Sequence, residues 1–412
     1  MSELICLTDS TLCSDDFLGR IEKIAAAKPD RIILREKALS DDAYAALAKD
    51  VTEICRRYGV RCTLHGHPEA ALRLGAESVH LPLPLLRSLD GDVLRQFRET
   101  GTSCHSAEEL KEAEAYGVSY VIAGHIFDTE CKHGLPGRGL KFLREICKGT
   151  QLPVYGIGGI SEENCCSVLH RGAKGICVMS GCMQQDNPAA YLQRLRQAAA
   201  RRIGRNELLL YAITDRGCIG QRDFFAAVEA ACKGGVTIIQ LREKHAEKRE
   251  LLRTAKHAAE ICRQYDVRLI INDDWKTAIQ AGADGVHVGI TDAPVAEIRA
   301  AAPDDFIIGA TAKTVAQAQL AERAGADYLG VGAVFPSPTK TDAVRITPEQ
   351  FREIAGSVAI PAVAIGGIGK ENIAALHGLG AAGAAVVSAV FGAADIERAA
   401  AEMKQLAGGI VL

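Results

Sequence analysis

Short apolar runs rich in β-branched residues recur along this chain, each followed by a longer stretch with apolar positions at helical spacing. In the second half the runs are Leu208–Thr214, Val236–Leu241, Arg268–Asn272, Gly285–Val288, Phe306–Ala310, Asp327–Gly332, Pro361–Ile365 and Ala384–Ser388. Helical spacing fills the gaps, as in Glu250–Tyr265 and Thr314–Ala324. The first half has its own series, from Leu4–Thr8 through Gly175–Ser180. Apolar strands alternating with amphipathic helices predict an α/β fold with a parallel sheet. Eight such units in about 200 residues predict a (β/α)8 barrel, and two series predict two tandem TIM barrels. A doubly wound open sheet is the other architecture the pattern admits.

The halves are copies of one another. Thr8-Asp9 recurs as Thr214-Asp215, Leu34-Arg35-Glu36-Lys37 as Leu241-Arg242-Glu243-Lys244, and Val79-His80 as Val286-His287. Gly158-Gly159-Ile160 recurs as Gly366-Gly367-Ile368, and Ser180 as Ser388. The offset drifts only from 206 to 208, so the fold is duplicated almost without insertions. We expect domains at 1–202 and 207–412, joined by a linker at 203–206.

Composition narrows the class. Net charge is −3 over 412 residues, with no reason to expect nucleic acid or an anionic membrane as partner. The start, Met1-Ser2-Glu3, lacks the features of a signal peptide, and the expected setting is the cytoplasm. The least polar stretch, Gly378–Ala394, suits a buried strand and a helix start better than a membrane span. The 14 cysteines include no C-x-x-C pair, so they read as free, mostly buried thiols rather than zinc ligands or disulfides.

In the second copy every strand end is polar, which is where barrel enzymes place their chemistry. Gln240, Arg242 and Lys244 follow strand two; Asn272, Asp273 and Asp274 follow strand three; Asp292 follows strand four. Thr311 and Lys313 follow strand five, Ser337-Pro338-Thr339-Lys340 strand six, Gly366-Gly367 strand seven and Val387-Ser388 strand eight. Gly366-Gly367 would let backbone N–H groups approach a phosphate, and Ser388 would close the same site with a hydroxyl. Arg242, Lys244 and Lys340 suit a larger polyanion. Asp273 and Asp292 supply hard oxygens suited to Mg2+ on a diphosphate.

Taken in order, Gln240-Leu241-Arg242-Glu243-Lys244, Asn272-Asp273-Asp274, Gly285-Val286-His287-Val288-Gly289, Pro338-Thr339-Lys340 and Ile365-Gly366-Gly367-Ile368 resemble thiamine-phosphate synthase over Glu207–Leu412. That resemblance implies coupling of hydroxymethylpyrimidine diphosphate to a thiazole phosphate, with Mg2+ and loss of diphosphate. It implies that Gln240, Arg242, Lys244, Asn272 and Lys340 hold the pyrimidine diphosphate, with Arg242, Lys244 and Lys340 serving catalysis. Asp273 and Asp292 would bind Mg2+, and Ser337, Thr339, Gly366, Val387 and Ser388 the thiazole phosphate. Thr311-Ala312-Lys313 stands where the family more often has Ser-x-His; both Thr311 and Lys313 are expected at the substrate.

The first copy keeps a phosphate apparatus, Arg35, Lys37, Lys132, Gly158, Gly159 and Ser180, but loses the metal carboxylates. His65-Gly66-His67 replaces Asn272-Asp273-Asp274, Leu85 replaces Asp292, and Ile33 replaces Gln240. His65, His67 and His80 leave a zinc site as an unfavoured option. Opposite Ala333 stands His125, suited to proton transfer on a phosphorylated ring. Ser103-Cys104-His105-Ser106, Gly124-His125-Ile126-Phe127 and the run from Lys132 to Gly139 look like the thiazole tautomerase branch of the superfamily. That likeness implies His125 as acid and base, with Ser103 and His105 beside the ring and carboxylate. The expected function is therefore bifunctional; a non-catalytic phosphate-binding or scaffold barrel is the alternative for the first half. A sugar or amino-acid pathway isomerase is a further alternative for the whole chain. The partners expected are small-molecule substrates.

Overall fold

The structure, a computed structural model, describes residues 2–132, 134–244, 246–336 and 345–411. It divides into two compact units, Met1–Arg201 and Arg202–Leu412. In the first, eight parallel strands close in sequence order: β1 Glu3–Leu7, β2 Arg31–Leu34, β3 Arg61–His65, β4 Ser78–His80, β5 Glu99–Cys104, β6 Tyr120–Gly124, β7 Val154–Ile157 and β8 Gly175–Val178. In the second the same closure joins β9 Leu210–Ile213, β10 Ile238–Leu241, β11 Arg268–Asn272, β12 Gly285–Val288, β13 Ile307–Ala312, β14 Tyr328–Gly332, β15 Ala362–Ile365 and β16 Gly383–Val386. Each ring is completed by its first and last strands, with Ile5 opposite Cys177 and Tyr211 opposite Ala385. Two tandem (β/α)8 barrels are therefore present, and the open sheet is ruled out.

Strand alternation sorts side chains into two apolar shells. On β10, Ile238 points into the barrel with Tyr211, Ile270 and Tyr328, while Ile239 and Leu241 pack outward against helices. Continuing that period places Gln240 inward, and on β11 it places Asn272 inward above Ile270. The barrel interior carries polar anchors too. Arg31 of β2 is 1% exposed, pairs with Glu99 at 2.8 Å and lies over the Tyr120 ring.

Helices between the strands begin where side chains satisfy free backbone N–H groups. Ser40 caps the helix Asp41–Tyr58, which stops at Gly59 in the left-handed region (φ 70°). The spacing-based helix Glu250–Tyr265 is observed as Lys248–Gln264, and Thr314–Ala324 as Val315–Arg323. Some strand boundaries differ from expectation. The last run of each half ends early, because the chain turns at Met179 and Val387 and Ser180 and Ser388 open short helices, Ser180–Gln184 and Ser388–Phe391. Likewise β9 starts two residues late, since Arg205–Leu208 forms a 3-10 turn held by Glu207 accepting from the Gly204 N–H at 3.0 Å. Ile203 just before it is fully buried in the second barrel's core. Among the described residues, no helix is long and apolar enough to cross a membrane.

Candidate active sites

The carboxyl ends of β9–β16 surround a cavity of about 480 Å3. Its walls include Gln240, Arg242, Lys244, Asn272, Asp273, Asp292, Thr311, Lys313, Gly366, Val387 and Ser388. Every described residue expected to bind substrate or metal in this barrel thus meets in one place. Asp274, their neighbour in sequence, instead caps the helix Trp275–Ala281 by accepting from the Thr277 N–H at 3.0 Å. Ser337, Thr339 and Lys340 lie outside the described residues.

One wall is a relay of polar contacts. Gln240 donates through Nε2 to Asn272 Oδ1 at 2.7 Å, and Asn272 donates through Nδ2 to Asp273 Oδ2 at 2.5 Å. Asp292 accepts from the Gly289 N–H at 2.7 Å. Asp273 and Asp292 are in hydrogen-bonding contact with each other. Burial, that contact and the Asp292 charge push the Asp273 carboxyl up to about 6, against the pull of Lys244 and Arg242. Asp273 also sits at φ 64°, a conformation uncommon outside glycine. A half-buried carboxylate crowded by an exposed one, with an amide steering the first, forms a donor set that suits a hard divalent cation.

The opposite wall is built for close approach to backbone. Gly366 and Gly367 have φ of 104° and 61°. A Cβ on Gly366 would lie 2.5 Å from the Ala333 Cβ, and one on Gly367 would lie 2.0 Å from the Pro336 carbonyl oxygen. Only glycine fits at either position. Arg242 approaches Asp215 at 3.8 Å, and Lys313 presents its backbone N–H to Gln317 at 2.8 Å.

Two wall residues have no role assigned from the motifs alone. His287 is half-buried, its Nε2 3.1 Å from Thr311 Oγ1 and its Nδ1 3.1 Å from the Tyr328 hydroxyl; desolvation pushes its pKa down to about 4. Asp215 faces Arg242. The sequence does carry a signal for both: each recurs in the first copy, as His80 and Asp9.

In the first unit the corresponding strand ends carry a different set. Arg35 pairs with Asp9 at 3.1 Å, and its guanidinium lies 3.9 Å from the Met179 sulfur, next to Ser180. Burial and the charges of Arg35 and Lys132 lower the Lys37 pKa, which places these three cations together. Gly158 (φ 99°) backs directly on His125, where a Cβ would come within 2.3 Å of the His125 Cβ. Gly366 backs on Ala333 in the same way, which makes His125 and Ala333 equivalent positions of the two barrels. His125 Nε2 lies 3.1 Å from the Leu135 carbonyl oxygen. His105 Nδ1 lies 2.7 Å from the carbonyl oxygen of Gly124, the residue preceding His125. Ser103 turns to His80 Nε2 at 2.9 Å.

The histidines left open for zinc are otherwise engaged. Both His80 ring nitrogens are taken, by Ser103 and by the Tyr120 hydroxyl at 3.2 Å, and His67 Nδ1 meets Asp41 at 2.5 Å. His65 stacks on His80 at 5.4 Å; burial, then Arg35 and Lys37, push its pKa down to about 4.

Comparison with known proteins places both units in one family. The family model for thiamine monophosphate synthase matches twice, over residues 4–182 and 210–390. A thiamine-phosphate synthase of Alkaliphilus oremlandii is 43% identical over 195 residues, covering 47% of this chain and 93% of the relative. Thiamine-phosphate synthase 2 of Streptococcus pneumoniae is 44% identical over 195 residues, again 47% and 93%. The solved thiamine phosphate pyrophosphorylase of Pyrococcus furiosus is 40% identical, covers 50% of this chain and 99% of its own, and aligns with a TM-score of 0.47.

Proposed function

The chain belongs to the thiamine monophosphate synthase family, and from that premise we propose that its second unit joins hydroxymethylpyrimidine diphosphate to a thiazole phosphate, releasing diphosphate. The observation that carries this is the meeting, in one cavity, of the Asp273–Asp292 pair, the Arg242 and Lys244 cations and the Gly366-Gly367 cradle. Arg242 and Lys244, with Lys340, take the diphosphate; Gln240 and Asn272 orient the pyrimidine, with Thr311 and Lys313 at its edge. Gly366, Val387 and Ser388, with Ser337 and Thr339, hold the thiazole phosphate.

Asp273 and Asp292 would hold Mg2+, whose charge, when bound, helps neutralise the departing diphosphate. The remaining work falls to side chains. As the methylene carbon–oxygen bond breaks, its electron pair leaves with the diphosphate, and Arg242 and Lys244 receive the charge. The thiazole nitrogen lone pair then forms the new carbon–nitrogen bond. No proton has to be placed for this step, so the site needs orientation and charge rather than a base.

For the first unit we propose aromatisation of a thiazole carboxylate phosphate by proton transfer through His125. A carbonyl oxygen can only accept, so the Leu135 contact puts the proton on Nε2 and leaves the Nδ1 lone pair free as base. Arg35, Lys37, Lys132, Gly158 and Ser180 would hold the phosphate, and Ser103 and His105 border the ring. The cytoplasm is the setting this reading assumes.

The test uses the full chain, with aromatisation followed by ultraviolet absorbance and coupling by thiochrome fluorescence. Asp273→Asn should abolish coupling from either thiazole tautomer. His125→Ala should stop aromatisation while coupling of the aromatic thiazole phosphate continues. Undiminished aromatisation in His125→Ala would leave the first barrel as a phosphate-binding scaffold. Full coupling in chelator would remove the synthase mechanism itself.

A further inference from the structure

Eleven of the 14 cysteines lie in the first half of the chain. Three pairs of thiols act on one another. Cys6 and Cys182 approach to 3.1 Å, but both are sealed in the core at 1% and 0% exposure. Cys232 and Cys262 are in contact and are likewise buried. The Cys55–Cys62 pair differs because one of its members reaches solvent.

Cys55 lies in the last turn of the helix Asp41–Tyr58, and Cys62 is the second residue of β3. The left-handed Gly59 folds the chain back, and the Val60 N–H returns to the Cys55 carbonyl at 2.9 Å. This closure sets the two cysteines on the wall of one cleft, where each thiol acts on the other. Cys62 points outward from the strand, is half-buried, and lines an open cleft of about 840 Å3 together with Cys55, Lys49, Arg56, Arg61 and Arg98. The cleft is at the amino end of β3, opposite the mouth that carries His65 and His125. Thr52, one turn earlier on the helix, donates its hydroxyl to the Cys62 sulfur at 3.8 Å.

We propose that Cys55 and Cys62 form a peroxide-reactive dithiol, a modification site at the base of the first barrel that closes to a reversible disulfide. The Cys62 thiolate attacks a peroxide oxygen, the O–O bond breaks, and the leaving hydroxide is protonated to water. The Cys62 sulfenic acid is then attacked by the Cys55 sulfur; the S–O bond breaks, a second water leaves, and the S–S bond forms. Two thiols lose two electrons in all, and one hydrogen peroxide becomes two waters. Exposure sets this order of events: Cys62 is half-buried on the cleft wall while Cys55 is 1% exposed, so Cys62 is the attacking group and Cys55 the resolving one, in keeping with a Cys62 thiol held below its usual value. The arginines of the same cleft are each paired with a glutamate, Arg56 with Glu53, Arg61 with Glu3 and Arg98 with Glu77, so they lend the cleft no net cationic pull. This site is independent of the synthase and tautomerase assignments.

The test is a peptide map of the full native chain after brief hydrogen peroxide treatment, quenching with N-ethylmaleimide and tryptic digestion without reductant. We expect Asp50–Arg56 joined to Cys62–Arg73, lighter by two hydrogens than their sum and separated by dithiothreitol. The pair should be consumed about tenfold faster than the exposed Cys131, which reports general peroxide damage. In Cys55→Ala, Cys62 should stop at sulfenic acid and be trapped by dimedone; in Cys62→Ala, Cys55 should remain unoxidised. Maleimide on both peptides of the native chain while Cys131 is oxidised would overturn the proposal, as would sulfinic acid at Cys62 with no linked peptide. The native-chain map needs no substitution, so it decides between these outcomes even where a variant fails to fold.

Discussion

Asp273 presses its carboxyl group against that of Asp292 from a left-handed backbone at φ 64°, and its equivalent in the first copy, Gly66, holds φ 78°. The two copies share the backbone shape and differ in the carboxylate. A side chain in this region costs roughly 1 kcal/mol where glycine costs little, and strain of that kind persists where something else requires the side chain. The second copy therefore carries two local penalties at one residue, backbone and charge, beside the cavity at its strand ends.

Replacing Asp273 with glycine should separate the two roles. In metal-free buffer at neutral pH, Asp273→Gly should melt no lower than the native chain, and higher by up to about 1 kcal/mol of relieved strain. Coupling should fall roughly a hundredfold or more, the several kcal/mol expected of a metal clamp. Differential scanning calorimetry beside a thiochrome assay reads both. A clear loss of stability with activity intact would make Asp273 a structural residue.

The same pair sets how Mg2+ should stabilise the protein with pH. The folded Asp273 pKa is raised to about 6 from an ordinary carboxylate value. A raised acid favours the folded state at low pH, and that contribution is lost as pH rises through about 6. Without metal, Asp273 thus weakens the fold at pH 7.5. A divalent cation displaces the proton and offsets the repulsion, so the melting shift caused by millimolar Mg2+ should be larger at pH 7.5 than at pH 5.5. Asp292→Asn should flatten that difference. An Mg2+ shift independent of pH would place the ion elsewhere.

Much of this site was legible because barrel geometry converts a period of two into a direction. Gln240 and Asn272 are inward positions of β10 and β11, so their convergence followed from strand assignment alone. His287 was less visible: a histidine inside a β-branched strand reads as one more inward side chain, and only its contacts with Thr311 and Tyr328 give it a place at the cavity. Ser180 and Ser388 were assigned to strand ends yet start helices, because the turns at Met179 and Val387 are backbone events without a glycine or proline to announce them. The Cys55–Cys62 pair was hidden for a related reason, since it joins a helix to a strand across a turn whose closure only the fold defines.

Gly366→Ala tests the phosphate cradle. Its Cβ would meet the Ala333 Cβ at 2.5 Å and Cα at 2.7 Å, with φ at 104°, so neither the neighbour nor the backbone can give way cheaply. We expect a loss of about 1–3 kcal/mol in stability and a raised KM for the thiazole phosphate, with the KM for the pyrimidine diphosphate much less affected. Gly356→Ala is the control: it ends the helix Pro348–Gly356, a Cβ there meets nothing within 4 Å, and stability should hold. Equal effects of the two substitutions would remove the cradle argument.

His65 occupies the place of Asn272 in the first copy, and its burial beside Arg35 and Lys37 holds its pKa down at about 4. In the unfolded chain it titrates near 6.5. The stability it supports is therefore complete above about pH 6.5 and is lost as pH falls toward 4, where the unfolded state takes up a proton that the folded state refuses. The loss is up to about 3 kcal/mol for this residue, and His80, buried beneath it and also depressed, acts in the same direction. His65→Asn borrows the second copy's residue and keeps the backbone N–H bond to the Tyr44 hydroxyl at 2.8 Å. It should make unfolding of the chain less sensitive to acid between pH 6.5 and 4. The imidazole NMR signals of the native chain should include one from His65 that stays neutral down to about pH 4. A His65 signal titrating near 6.5 would show that the ring is solvated and that the cations of Arg35 and Lys37 do not act on it.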